Sequence, residues 1–150
     1  MLTLKRTTSA DPDFVELIRL LDADLAQRDG ADHAFYAQYN GIDAVKHAVV
    51  AYDENERAVG SGAIKEYAPG VTEVKRMFVR PTGRQRGTAT EILAELENWA
   101  RELSYKKCIL ETGTRYPEAI ALYKKCGYRI TPAYGQYIGV KTSVCFAKYL

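Results

Sequence analysis

A chain of 150 residues, 47% hydrophobic and 27% charged, has the make-up of one globular domain, long enough to bury roughly two thirds of its unfolded surface. The net charge of +2 is too small to imply nucleic-acid binding. No run of about 18 apolar residues reads as a membrane span, and the start M-L-T-L-K-R-T-T lacks a signal-peptide core. Three cysteines, Cys108, Cys126 and Cys145, show no metal or redox spacing; reduced thiols in a cytoplasm fit them best.

After Leu2 and Leu4, apolar residues at Phe14, Leu17, Ile18, Leu21 and Leu25 have helical spacing, which predicts a helix from Asp13 to Gln27. Asp11 or Asp13 would cap it, and Asp29-Gly30 would end it. Ala31 to Tyr39 is a candidate second short helix, stopped by Asn40-Gly41. His47 to Tyr52 reads as a strand, Asp53 to Glu56 as a turn, Arg57 to Tyr67 as a returning strand, and Pro69-Gly70 as another turn. His33 and His47 have no metal-ligand spacing, and Phe35, Tyr36 and Tyr39 suit either a core or a substrate wall.

Val71 to Val79 is rich in β-branched and apolar residues, which predicts a strand closed by Pro81. Strict alternation would put Val71, Glu73, Lys75, Met77 and Val79 on one face. Beyond Gly87, apolar residues at Ile92, Leu93, Leu96, Trp99, Ala100 and Leu103 predict a one-sided helix, with Thr88 and Glu91 spaced for a capping box. Lys106 to Glu111 reads as a strand and Pro117 to Cys126 as a helix, with Pro117 at its first position and Gly127 just past its end. Strand, helix, strand in this order implies that the strands of Val71 and Cys108 run parallel through a right-handed crossover. Tyr128 to Ile130 and Ser143 to Lys148 close the chain. The intervening loop, with Tyr134 and Tyr137, is expected near a pocket.

The helix start beyond Gly87 carries the functional signal. The first amides of a helix have no intrahelical partner and sit at the positive end of its dipole, so they suit an anion. Gly83 and Gly87 let a ligand approach the backbone. Lys75, Arg76, Arg80, Arg84 and Arg86 surround the loop, with no acidic residue between Val74 and Thr90. A phosphate-bearing ligand is expected. The mononucleotide P-loop pattern and the dinucleotide G-x-G-x-x-G pattern are both absent.

What remains is R84-Q-R-G-T-A89 after an apolar strand, and about 30 residues on, Ala119, Leu122, Tyr123, Gly127 and Tyr128 in the pattern A-x-x-L-Y-x-x-x-G-[FY]. Together these resemble the two signatures of the GNAT superfamily of acyl-CoA-dependent N-acetyltransferases. The resemblance covers Val71 to Leu150 well and the first 70 residues by element order. One departure is Tyr116, where the family often has an asparagine that touches the pantetheine arm.

The resemblance implies an α/β (α+β) fold: a mixed, mostly antiparallel central sheet, a parallel strand pair at the CoA site, and helices on both faces. Residues 1–150 would form a single domain. Acetyl-CoA would be the co-substrate, with no metal. Backbone groups of Met77 and Val79 would pair with the pantetheine amide as an added strand would. Backbone groups of Arg84, Gln85, Arg86, Gly87, Thr88 and Ala89 would hold the pyrophosphate.

The expected acceptor is a small-molecule or peptide amine; a homodimer is left open. An ammonium, with a pKa of about 10.4 for a lysine-type amine, has no lone pair and must lose a proton before it attacks a thioester. Glu73 is the first candidate for the base and Glu111 the second, with Lys75 able to pair with Glu73. Tyr123 matches the family's general acid toward the departing thiolate. The eight carboxylates between Asp11 and Asp43 read either as a solvated helix face or as an attractor for a cationic amine. An acyl-CoA-binding sensor that has lost turnover is the alternative.

Overall fold

The computed structural model describes residues 2–30 and 45–150. The predicted helix over 31–39, His33 and the aromatic residues Phe35, Tyr36 and Tyr39 lie outside the described residues. The order of elements is β1 (Thr3–Thr7), α1 (Pro12–Asp29), β2 (His47–Tyr52), β3 (Ala58–Ala68), β4 (Val71–Val79), α2 (Thr88–Glu102), β5 (Lys107–Gly113), α3 (Pro117–Lys125), β6 (Arg129–Thr131) and β7 (Ser143–Tyr149). The strands form one sheet in the order β1-β2-β3-β4-β5-β7-β6, antiparallel throughout except for the pair β4 and β5. No described helix is long and apolar enough to cross a membrane.

Period-two alternation in β2 explains the layering. Ala48 and Val50 face α1, where Phe14, Leu17, Ile18 and Leu21 meet Ala63 and Phe78. Val49 and Ala51 face the other way, against Ile92, Leu93, Leu96 and Ala100 of α2. Each fully buried Val, Leu or Ile among them contributes about 2 kcal/mol of burial free energy. The sheet is thus covered on both faces.

Asp11, rather than Asp13, caps α1: its Oδ1 accepts the Asp13 amide at 2.9 Å. Asp53 closes the β2–β3 turn by accepting the Asn55 and Arg57 amides at 2.8 and 3.0 Å. The strand β1 was not predicted, because five alternating residues (T-L-K-R-T) with two cations give little apolar signal; it pairs with β2 at the sheet edge.

Two local expectations are corrected. The capping box at Thr88 does not form: the N-cap is Gly87, at φ 77, and the Thr88 hydroxyl turns back to donate to the Gly83 carbonyl at 3.1 Å. Strict alternation also fails in β4. Between Ser61 and Ala63 of β3 the partners on β4 run from Phe78 to Lys75, so β4 carries one extra residue. Arg76 sits at this bulge with φ 62, and its carbonyl accepts Ser61 Oγ at 3.0 Å. The bulge flips the phase. Met77 and Val79 pack on the α2 face with Val74, while Phe78 packs on the α1 face.

Candidate active site

The parallel pairing of β4 with β5 is short. It joins Val71, Thr72 and Glu73 to Lys107, Cys108 and Ile109 and then stops. Beyond Glu73 the two strands part, so among the described residues no strand lies beside that edge of β4. A cavity of about 620 Å³ occupies the gap, lined by Glu73 to Val79 of β4, Glu111 to Gly113 of β5, the N-terminal end of α2 and one side of α3. It passes between the strands, so it meets α2 and α3 on one side and the C-terminal half of α1 on the other.

On the α2 side, Pro81–Gly83 forms a 3-10 turn after β4, and Gln85 (φ 63) and Gly87 (φ 77) adopt left-handed conformations. Such reversals aim successive amides into one concavity. The Glu91 amide is the first to reach back into the helix, to the Gly87 carbonyl at 3.0 Å. The amides of Thr88, Ala89 and Thr90 therefore point along the axis toward the gap. Gly87 is glycine for its φ, and an added Cβ would meet nothing within 4 Å.

Of the predicted phosphate residues, Gly83, Arg84, Gln85, Gly87, Thr88 and Ala89 line the cavity, and Arg86 is exposed at the loop beside them. The broader basic cluster disperses. Arg80 Nε donates to the Ala58 carbonyl at 2.8 Å, Arg76 Nη1 lies 3.4 Å from Asp22 Oδ1 on α1, and Lys75 Nζ lies 3.5 Å from Glu73 Oε1. Arg84 and Arg86 are the cations left at the helix mouth, and Arg84 Nε donates to the Val79 carbonyl at 2.9 Å. Met77 and Val79 both line the cavity on the open edge of β4.

α3 brings in the second signature. Pro117 occupies its first turn, Gly127 follows it at φ 92, and Ala119, Leu122 and Tyr123 line the cavity. Tyr123 is buried, with its ring 5.9 Å from both Tyr128 and Phe146. Burial holds its phenol above the usual range, so it stays protonated at neutral pH. Tyr128 is core, with Lys148 Nζ 5.6 Å above its ring.

On the α1 side stand both carboxylate candidates. Glu73 Oε2 accepts Tyr134 Oη at 2.6 Å, and Glu111 Oε2 accepts Ser143 Oγ at 2.7 Å. Burial first, then the charges of Glu73 and Asp29, push Glu111 up to about 7. The acidic residues of α1 are mostly engaged elsewhere: Asp13 accepts Tyr52 Oη at 2.6 Å, Glu16 pairs with Arg19, and Asp29 accepts Tyr116 Oη at 2.7 Å. Asp32 and Asp43 lie outside the described residues. His47 packs edge-on against Trp99, centroids 4.8 Å apart. Among the described residues no three His, Cys, Asp or Glu side chains gather as a metal site.

Sequence reasoning missed Ser143 and the direct bond from Tyr134 to Glu73. The tyrosine-bearing loop after β6 was the available signal, and Tyr137 of that loop does line the cavity. It also missed the brace around Tyr116: Arg28 stacks 4.2 Å over that ring, donates to the Arg115 carbonyl at 2.7 Å and pairs with Glu118.

Residues 14–128 match the model of the acetyltransferase (GNAT) family, and the chain belongs to that family. It is 30% identical over 136 residues to the IAA acetyltransferase of Azospirillum brasilense, covering 90% of this chain and 89% of that one. An N-acetyltransferase of Schizosaccharomyces pombe is 32% identical over 87 residues, 57% of this chain and about half (53%) of the yeast protein. Among solved structures, one described as an acyl-CoA N-acyltransferase from Klebsiella pneumoniae superposes with TM-score 0.84 at 29% identity, over 100% of this chain and 98% of that one. A GNAT acetyltransferase from Elizabethkingia anophelis, solved with acetyl-CoA bound, shares the fold with TM-score 0.69 at 19% identity, over 99% and 98% of the two chains.

Proposed function

We propose that this chain, acting as one domain, moves an acetyl group from acetyl-CoA to a primary amine by direct attack in a ternary complex. The observation that carries this reading is the gap between β4 and β5, which opens onto the amide-lined mouth of α2 on one side and onto two carboxylates on the other. The pyrophosphate of CoA sits on the amides from Arg84 to Ala89, with Arg84 and Arg86 adding charge. The pantetheine arm lies along the open edge of β4 beside Met77 and Val79, which bonds its amides as an added strand and brings the thioester into the gap.

The acceptor arrives from the α1 side as an ammonium. One of its protons passes to a cavity carboxylate, Glu73 or Glu111, and from there to water. The freed lone pair attacks the thioester carbonyl. Collapse breaks the C–S bond, sulfur leaves with the proton of Tyr123, and the surplus proton on the new amide nitrogen restores the phenol. Charge and protons balance, and no covalent enzyme intermediate is needed.

Free-thiol release from acetyl-CoA, with and without a panel of amines, tests the reading. Stimulation by at least one amine class supports it. CoA uptake with no stimulation by any amine favours a sensor instead.

A further inference from the structure

Resting on that reading, the structure separates the roles of the two carboxylates. Glu73 and Glu111 stand on adjacent strands, at the point where β4 and β5 part, and both line the cavity. Glu73 has both oxygens engaged, Oε2 by Tyr134 Oη at 2.6 Å and Oε1 by Lys75 Nζ at 3.5 Å. Tyr134 is itself held edge-on between Tyr67 and Tyr137, at centroid distances of 5.2 and 5.6 Å. Burial and the charge of Glu73 keep its phenol protonated, so it remains a donor. A proton on either oxygen of Glu73 would neutralise the charge on which both contacts depend and so weaken them. Glu111 accepts one hydrogen bond from described residues, at Oε2, which leaves Oε1 for a substrate.

The geometry points to Glu111 as the group that receives the amine proton, and to Glu73, clamped by Tyr134 and Lys75, as a fixed charge that positions the incoming ammonium. The titratable and charged groups that act on Glu111 or lie against it come from every side: Glu73 and Lys75 of β4, Asp29 of α1, Tyr123 of α3, Tyr137 of the β6–β7 loop and Cys145 of β7. Of these Lys75 alone favours the anion by its charge, and it is shared with Glu73. A base titrating near neutrality has enough proton affinity to act and is still ionised in a useful fraction of molecules.

The test is the pH dependence of kcat/KM for the amine, at saturating acetyl-CoA, in the unsubstituted protein, Glu111→Gln and Glu73→Gln. We expect an acidic limb centred near 7. Glu111→Gln should remove that limb and lower kcat by about 10²–10⁴-fold. Glu73→Gln should keep the limb, displaced to lower pH because a neighbouring negative charge is gone, with its main loss in amine KM. A limb that survives in Glu111→Gln and vanishes in Glu73→Gln overturns the assignment. Carbon NMR of labelled glutamate carboxyls gives a second readout independent of turnover: the resonance lost in Glu111→Gln should titrate near 7. A midpoint at the ordinary 4.5 overturns the proposal. CoA uptake without amine-dependent thiol release in the unsubstituted protein overturns acetyl transfer itself, and the assignment with it.

Discussion

Tyr116 and Asp29 are joined by a 2.7 Å hydrogen bond from Oη to Oδ1, linking the residue that caps α3 to the last residue of α1. Asp29 is 4% exposed, and its own carbonyl accepts Arg115 Nη1 at 2.8 Å. The bond pins the C-terminal end of α1 to the N-terminal end of α3, and both ends line the cavity.

Tyr116→Phe leaves the ring in place but strands a buried carboxyl oxygen. The expected loss is about 1.5–3 kcal/mol of stability, read as a fall in Tm of roughly 3–12 °C. Tyr116 lines the cavity, but the hydroxyl that is lost is bonded to Asp29, so CoA affinity should change less than stability does.

Gly62 tests how closely α2 lies on the sheet. An added Cβ there would sit 2.7 Å from Met77 Sδ and 2.8 Å from methyl groups of Ile92 and Leu96. Gly62→Ala should therefore cost about 1–3 kcal/mol in chemical denaturation, and by displacing α2 it should weaken CoA binding as well.

Tyr123→Phe removes a proton donor without emptying its space. The expected outcome is a fall in kcat of about 10²-fold or more, with CoA affinity and thermal stability close to those of the parent. A parallel fall in CoA affinity would make Tyr123 a packing residue instead.

Glu111 also links stability to pH. Its folded value of about 7 lies above the ordinary 4.5, so the folded state holds a proton that the unfolded chain releases. The stabilisation is fully present below about pH 4.5 and is lost as pH rises through 7, amounting to at most about 3 kcal/mol. Glutamine stays neutral at every pH. Glu111→Gln should melt higher than the parent at about pH 8, and the difference should close toward pH 4.5.

The fold was legible wherever one face of an element carried a strong apolar signal. α1 and α2 follow from the spacing of Phe14 to Leu21 and of Ile92 to Ala100, and the parallel pair follows from the order of strand, helix and strand. The loop and its glycines were legible because a helix start preceded by Gly87 has a physical meaning by itself. What stayed hidden depends on tertiary position. No local pattern announces the extra residue at Arg76, which moved Met77 and Val79 to the α2 face and took Lys75 and Arg76 away from the loop that precedes α2. The clamp of Tyr134 on Glu73 joins residues 61 positions apart, and the loop that carries Tyr134 has neither helical nor strand periodicity.

The most direct measurement is a crystal of this protein soaked in CoA, paired with calorimetric titration. The account predicts saturable uptake that weakens with salt, with pyrophosphate oxygens within hydrogen-bonding distance of the amides between Arg84 and Ala89. An empty turn at those residues, with no heat of binding, would contradict it.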